Sequence, residues 1–418
     1  MTMAPLPHDL ILDIAACSDP ATLVRCAAAC KDLRRDIADP AFRRRLRLRR
    51  TDDRLIPSLL RGHLVASRGA GGAGASAREL RLVDTTSAYA TRVLSAAACF
   101  PPGPDGEPLT AGELLGSRHG LLLVRNHHEL RVCNPATGRS QALPRPAWQF
   151  DGHYVLLVGG AAVDGVVGRR FKVLQAAYMS GSISSVVSNL RLRMCSSEQL
   201  TWRTYYTKAI QPPVIHGSSG GGGTTRRLVT RRLPKPLVVG DSTVHWLCRT
   251  DTASYIVTLH VGAAQVTSTK LPASFHSACR ETRMEHIVLA SMSVGGRPVV
   301  LVADGDRVSM WAQNERSARW KERPAVVVEK KDVAEFTQTG GVTGWWNGVP
   351  RLEWFAERSG VVLMRFDTGG LFWLDVRSKE ILRWFHFHTD DDSTVSFPYE
   401  SELSSWVPTF RKTLAVFS

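Results

Sequence analysis

Histidine, cysteine and acidic residues are the side chains that hold metals, and three places in this chain bring them close together. His386, Phe387 and His388 run into Asp390, Asp391 and Asp392. Alternate residues of a strand point the same way, so the two histidines would share a face as a pair of zinc ligands must. Spacing places no further ligand beside them, and a rim strand followed by an acidic loop accounts for the same residues. His127-His128-Glu129 puts adjacent histidines on opposite faces of a strand, the wrong geometry for joint coordination. Cys26 and Cys30 stand one helical turn apart without a matching second pair, and read as small core residues. Gly220 to Gly223 lacks the Lys-Ser/Thr sequel of a phosphate loop. No nucleophile is spaced against a base. The expectation is a non-catalytic chain that takes no metal and no cofactor.

The elements that would carry any site divide sharply into two textures. At the N-terminus, Asp19-Pro20 and Asp39-Pro40 each place an N-cap acceptor before a proline suited to the first helical position. Between them Leu23, Cys26, Ala27, Cys30, Leu33 and Ile37 recur at three- and four-residue steps, the period of a helix with one apolar face. A bundle over 1–50 has little core of its own and needs a cover for its apolar faces.

From Glu79 onward the pattern changes to short apolar runs separated by Gly, Pro, Asn and Asp turns, the signature of an all-β domain. Leu121-Leu122-Leu123-Val124, Tyr154 to Val158, Leu237-Val238-Val239, Val244 to Leu247, Tyr255 to Leu259 and Val299 to Val302 are the clearest strands. All eleven tryptophans lie at Trp148 or later, where strand faces need large anchors. The stretch 51–77 reads as a short helical turn and a Gly/Ala-rich linker, and 78–418 as the β domain. A Gly-rich loop near 216–227 interrupts that domain.

One phrase repeats through the β domain: strand, polar turn, strand, sometimes closing on Leu-Pro. Its turns centre on Thr137, Gln199, Ala264, Glu315 and Lys379, steps of about 60 residues, longer than the shortest propeller repeats. The spacing predicts a β-propeller of about six blades, with seven or eight, or paired β-sandwiches, as the alternatives. Length without helical interludes favours the propeller.

Net charge is +15, and six arginines fall within 43–50. A basic arm can serve as a nuclear address or a nucleic-acid contact, but no recognised nucleic-acid module accompanies it. No run approaches the roughly 20 apolar residues of a membrane span. Asp9 and Asp13 break up any secretory-signal layout. Eight scattered cysteines read as reduced thiols. The expected setting is cytoplasm or nucleus, away from membrane.

The order Leu6-Pro7-x-x-Leu10, then Leu23-x-Arg25, then Cys30-Lys31-x-Leu33-Arg34 with Ile37 and Phe42, resembles the F-box. Through that motif, substrate receptors dock on the Skp1 adaptor of cullin–RING ubiquitin ligases. The resemblance implies docking residues Leu6, Pro7, Leu10, Ile11, Ile14, Leu23, Val24, Cys30, Leu33, Arg34, Ile37 and Phe42. Ala16-Cys17 departs from the pattern, where many F-boxes carry Leu and a basic or aromatic residue. Gly120-Leu121-Leu122-Leu123, Cys133 to Gly138 and Val244 to Leu247 are similar to F-box-associated propellers of plants, especially grasses. Together they imply a substrate-recognition subunit of a Skp1–cullin–F-box ligase whose propeller binds a protein target. The alternatives are an interaction propeller outside ubiquitination, and less so a nucleic-acid or glycan binder.

Overall fold

Three short helices lead the chain: α1 (His8–Cys17), α2 (Pro20–Ala29) and α3 (Lys31–Ala38). Pro20 opens α2 at the position where a missing N–H is harmless. Ala15, Ala16, Leu23, Ala27, Ile37 and Phe42 close a small core between them, joined by Leu59 from the chain that follows. The structure, a computed structural model, describes residues 6–18, 20–39, 41–42, 55, 59–68, 78–84, 92–95, 112–126, 129–135, 137–144, 153–159, 166–179, 189–206, 235–249, 252–339, 348–367, 370–386 and 395–400.

The remaining described chain forms six four-stranded antiparallel sheets, the blades of a β-propeller. Blade I contains β1 (Leu60–Arg68), β2 (Arg78–Asp84) and β3 (Arg92–Ser95). Blade II is β4 (Gly112–Arg118), β5 (Leu121–Asn126), β6 (Glu129–Asn134) and β7 (Arg139–Leu143). Blade III is β8 (His153–Val158), β9 (Phe171–Met179), β10 (Asn189–Ser196) and β11 (Trp202–Tyr206). Blade IV is β12 (Leu237–Val239), β13 (Thr243–Arg249), β14 (Ser254–His260) and β15 (Gln265–Lys270). Between blades IV and V lies α4 (Ala273–Ala278). Blade V is β16 (Ile287–Ser291), β17 (Pro298–Ala303), β18 (Arg307–Trp311) and β19 (Ala325–Glu329), and α5 (Lys330–Thr339) follows it. Blade VI is β20 (Arg351–Ala356), β21 (Val361–Arg365), β22 (Gly370–Asp375) and β23 (Ile381–His386). Finally β24 (Val395–Glu400) returns to blade I and pairs with β1, Leu64 opposite Phe397. The ring is closed by its last described strand lying inside its first sheet.

Six blades replace the seven- and eight-bladed and sandwich alternatives. Two expectations need correction. The ring begins inside the stretch assigned to the linker, because β1 starts at Leu60 and is hydrogen-bonded on both sides, to β2 and to β24. Its local sequence, with a glycine and two arginines, carries no strand signal. What makes it a strand is pairing with partners distant along the chain. The second correction is that α4 and α5 are helical interludes, both in connections between blades. The arginine run 43–50, the Gly/Ala tract at 69–77 and the Gly-rich loop near 216–227 lie outside the described residues.

Each blade is sandwiched between two others, so its inner strands, such as β16, β17 and β22, bury both faces, while an outermost strand such as β15 stays exposed. That is why the inner strands read as unbroken apolar runs. In β5 the odd residues Leu121 and Leu123 pack against Leu156, Val158 and Phe171 of blade III. The even residues Leu122 and Val124 pack with Leu64 of blade I. Burying such a side chain is worth roughly 1.5–3 kcal/mol.

The repeated phrase of the sequence falls on one structural feature, the hairpin between the third and fourth strands of blades II to VI. Each of these hairpins holds one residue at positive φ: Gly138, Leu200, Ala264, Ala318 and Lys379. In four of them the amide of that residue donates to the carbonyl four positions back, at Asn134, Ser196, Asn314 and Asp375. Three of those side chains also accept from the amide two residues on: Ser196 from Glu198, Asn314 from Arg316, Asp375 from Arg377. Short polar acceptors at this corner stabilise the turn locally.

Candidate functional site

Leu6 lies just ahead of α1, and Leu10 and Ile14 stand four residues apart on one side of that helix. They are 48%, 48% and 54% exposed, while most large apolar side chains of the ring are buried. Pro7 is exposed beside them and Ile11 is half-buried. The other resemblance-implied residues are placed differently. Leu23, Ile37 and Phe42 are core of the bundle, and Leu33 packs partly against that core. Cys30 is half-buried at the start of α3. Arg34 donates from Nε to the Ala27 carbonyl at 2.9 Å, fastening α3 to the end of α2. Val24 lies in α2, its side chain outside the described residues. Ala16 is a buried core residue, so a small side chain suffices where many F-boxes carry Leu.

The ridge is held by what lies behind it. His8 Nε2 meets Asp36 Oδ2 at 2.6 Å, tying the first turn of α1 to α3. That hydrogen bond is the main reason the Asp36 carboxyl is held below its usual range. Among the described residues, Leu10 and Ile14 on a packed helix and Leu6 just ahead of it make an exposed apolar patch.

A second constellation fills the centre of the ring. The first strands of the blades, with β24 serving blade I, form the inner wall of the ring: β24 packs against β4 and β20, β4 against β8, and β16 against β12 and β20. From the end of β4, the buried Arg118 donates from Nε to Glu357 Oε2 of blade VI at 2.9 Å. Its Nη2 reaches the Gly240 carbonyl of blade IV. The other Glu357 oxygen accepts from the Val238 amide at 3.0 Å. Near the opposite end of the channel, Glu353 of blade VI pairs with Lys235 ahead of β12 and with Arg365 of β21, at 3.5 and 3.4 Å. Alternate blades are thus tied to each other through the channel at two levels.

Glu357 belongs to the turn 357–360 between β20 and β21, and that turn has further duties. Ser359 donates to Glu400 Oε1 from its amide at 2.7 Å and from Oγ at 2.6 Å, and the Arg358 amide adds a third bond at 3.1 Å. Burial pushes the Glu400 carboxyl above its ordinary range, and the Ser359 hydroxyl acts against that. Gly360, at φ +72°, lies under Leu55 so closely that a Cβ there would stand 2.5 Å from Leu55 Cδ1. The sequence had singled out none of these residues. Gly360-Val361-Val362-Leu363 repeats the layout of Gly120-Leu121-Leu122-Leu123, and that likeness was the available signal.

Burial also governs the thiols and imidazoles. Cys133 is pushed up to about 12, and Cys195 and Cys279 to about 11, so these thiols stay protonated and poorly nucleophilic. His63 is driven down to about 3 by burial and, less, by Arg365, and His245 to about 4. Among the described residues no three His, Cys, Asp or Glu side chains gather as metal donors, and no helix is long and apolar enough to cross a membrane. His388, Asp390, Asp391, Asp392, His127 and His128 lie outside the described residues.

The sequence profile of a family described as "Domain of unknown function (DUF7595)" matches residues 118–409, and one described as F-box-like matches 3–49. No curated protein matches the chain. Among solved structures, a chain of a nidogen/laminin complex is similar at TM-score 0.37 and 10% identity, over 80% of this chain and 95% of that one. TolB from Acinetobacter baumannii is similar at TM-score 0.38 and 11% identity, over 83% and 66%. An oligogalacturonate lyase in complex with manganese is similar at TM-score 0.35 and 9% identity, over 76% and 72%. At these scores none bears on what this chain does.

Proposed function

Because the chain belongs to the DUF7595 family and carries an F-box-like domain ahead of its six-bladed ring, we propose that it is a substrate-recognition subunit of a Skp1–cullin–F-box ubiquitin ligase. The observation that carries this reading is the uncovered ridge of Leu6, Leu10 and Ile14 on an otherwise packed bundle. A Skp1-type adaptor would cover it. The protein would have no catalytic residues of its own. It would act by holding a target protein near a ubiquitin-charged enzyme, raising the effective concentration of a target lysine. Within this reading it is a plant protein of the grass type, working in cytoplasm or nucleus, with cullin and RING subunits reached through the adaptor.

The ring's strand directions support a division of faces. Strands alternate in direction, so first-to-second and third-to-fourth hairpins open on one face, and the remaining turns and blade connections on the other. Leu55 meets the ring at the turn 357–360 on the first of these faces. The opposite face, which carries α4 and α5, is where the target is proposed to bind.

Capture of purified Skp1 by the intact chain tests the reading. Truncating Leu10 and Ile14 together to Ala removes about 3 kcal/mol or more of buried contact, at least about a hundredfold in Kd. An intact chain that captures no adaptor, or a double variant that captures it undiminished, would instead place the ring outside ubiquitination.

A further inference from the structure

The turn 357–360 is the one described place where the bundle's connector, the ring-closing strand and the channel network all converge. Glu357 points into the channel and ties blade VI to Arg118 of blade II and to the Val238 amide of blade IV. The amides of Arg358 and Ser359, with the Ser359 hydroxyl, hold the carboxylate of Glu400, the last residue of β24. Gly360 receives Leu55, and only a residue without a Cβ permits that approach at that φ. The turn is itself braced, since the Gly360 amide donates to the Ala356 carbonyl and the Val376 amide to the Gly360 carbonyl, at 2.8 and 3.0 Å.

The same convergence is seen from the bundle side. Leu59 is buried in the bundle core, and the next residue, Leu60, already lies in β1 opposite Glu400. No residue of slack separates the two. Leu55 and Leu59 therefore flank residues 56–58, Leu55 set against the turn of blade VI and Leu59 in the bundle core at the root of β1.

We propose that the turn 357–360 couples closure of the ring to the seating of the helical bundle, so that bundle and propeller keep one fixed orientation only while β24 is in place. The consequence for reach between adaptor and target rests on the function proposed above; the coupling itself does not. A loosened Leu55 contact leaves both folded parts intact and frees the angle between them. A weakened Glu400 contact does the same indirectly, by releasing the turn that Leu55 sits on.

The test is a distance distribution in the full-length chain, from pulsed electron paramagnetic resonance. Nitroxide-bearing non-canonical residues would be placed at Arg35 in α3 and at Glu380 beside β23, both exposed. The unaltered chain is expected to give a single narrow distance. Leu55→Ala should lose the narrow peak while tryptophan fluorescence still reports a folded ring, and Leu55→Met should keep it. Glu400→Gln should broaden the peak as well. If that variant does not fold, Ser359→Ala, which removes one of the three bonds, takes its place with the same expectation. A broad distribution in the unaltered chain, or a narrow one in Leu55→Ala, overturns the coupling. Narrow peaks in Glu400→Gln or Ser359→Ala would overturn the part assigned to ring closure. Skp1 capture is read separately: a chain with one narrow distance that captures no adaptor keeps the coupling and loses the proposed function.

Discussion

The helical bundle and the ring solve the same burial problem with opposite results. In the bundle, Ala15, Ala16 and Ala27 fill much of the interior, while Leu6, Leu10 and Ile14 stay outside. In the ring, Leu121, Leu122 and Leu123 are wholly buried, because each blade offers its two faces to two neighbours. A closed ring supplies its own cover. The three described helices of the bundle do not, and their exposed apolar side marks where another surface belongs. The difference separates a part built for self-sufficiency from a part built to be completed.

The contrast is most directly broken by truncating an equivalent side chain in each part. Leu123→Ala should cost the ring about 2–5 kcal/mol, whereas Leu10→Ala should change stability by no more than about 0.5 kcal/mol. All eleven tryptophans lie outside the bundle, so in urea unfolding their fluorescence reads the ring for Leu123→Ala, and helical circular dichroism reads the bundle for Leu10→Ala. A Leu10→Ala loss as large as that of Leu123→Ala would place Leu10 in a core.

Next in size is the channel. Arg118→Met leaves the half-buried Glu357 carboxylate without its guanidinium and should destabilise the ring by about 2 kcal/mol. Adding Glu357→Gln should recover part of that loss, since the second change removes the stranded charge. Denaturation midpoints of the three variants make the comparison.

Acid should then separate the two parts. His63 and His245 have folded-state values near 3 and 4, below the ordinary 6.5. The unfolded chain binds their protons first, so the ring loses stability as pH falls from about 6.5 toward 3. Glu400, raised by burial, acts in the opposite sense, favouring the folded ring as it takes up its proton. Asp36 in the bundle is lowered from 3.8, so its contribution survives until pH falls below that value. Fluorescence and helical circular dichroism recorded against pH should show the ring weakening first. His63→Gln should flatten the ring's slope.

The smallest effect concerns the repeated hairpins. Ala264 sits at φ 50° where a side chain is disfavoured. Ala264→Gly relieves that strain but adds freedom to the unfolded chain, so calorimetry should find a change under about 0.5 kcal/mol. Ala264→Val should lose about 1 kcal/mol.

The blade number was legible because the hairpin between third and fourth strands is a local device. Its acceptor side chain, its left-handed residue and the strands around it lie within a few positions of one another, as in Asp375 to Lys379. The docking side of the bundle was legible only as a resemblance, which put Leu6, Leu10 and Ile14 in one set with Leu23, Ile37 and Phe42. Within the implied docking set, however, Leu23, Ile37 and Phe42 look no different in sequence from Leu10 and Ile14. Only packing sorted core from ridge. The strand β1 and the turn 357–360 were not legible, because their partners lie far along the chain.

By itself, then, the sequence determined that a helical bundle precedes a β domain of about six repeated units. Periodicity and turn chemistry act over a few residues, and a few residues suffice to reveal them. The tertiary structure decided that β24 closes the ring beside β1, that Arg118 and Glu357 meet across the channel, and that Leu55 lands on Gly360. Those are contacts between chain-distant residues. Their strength comes from burial that exists only once all six blades stand in place.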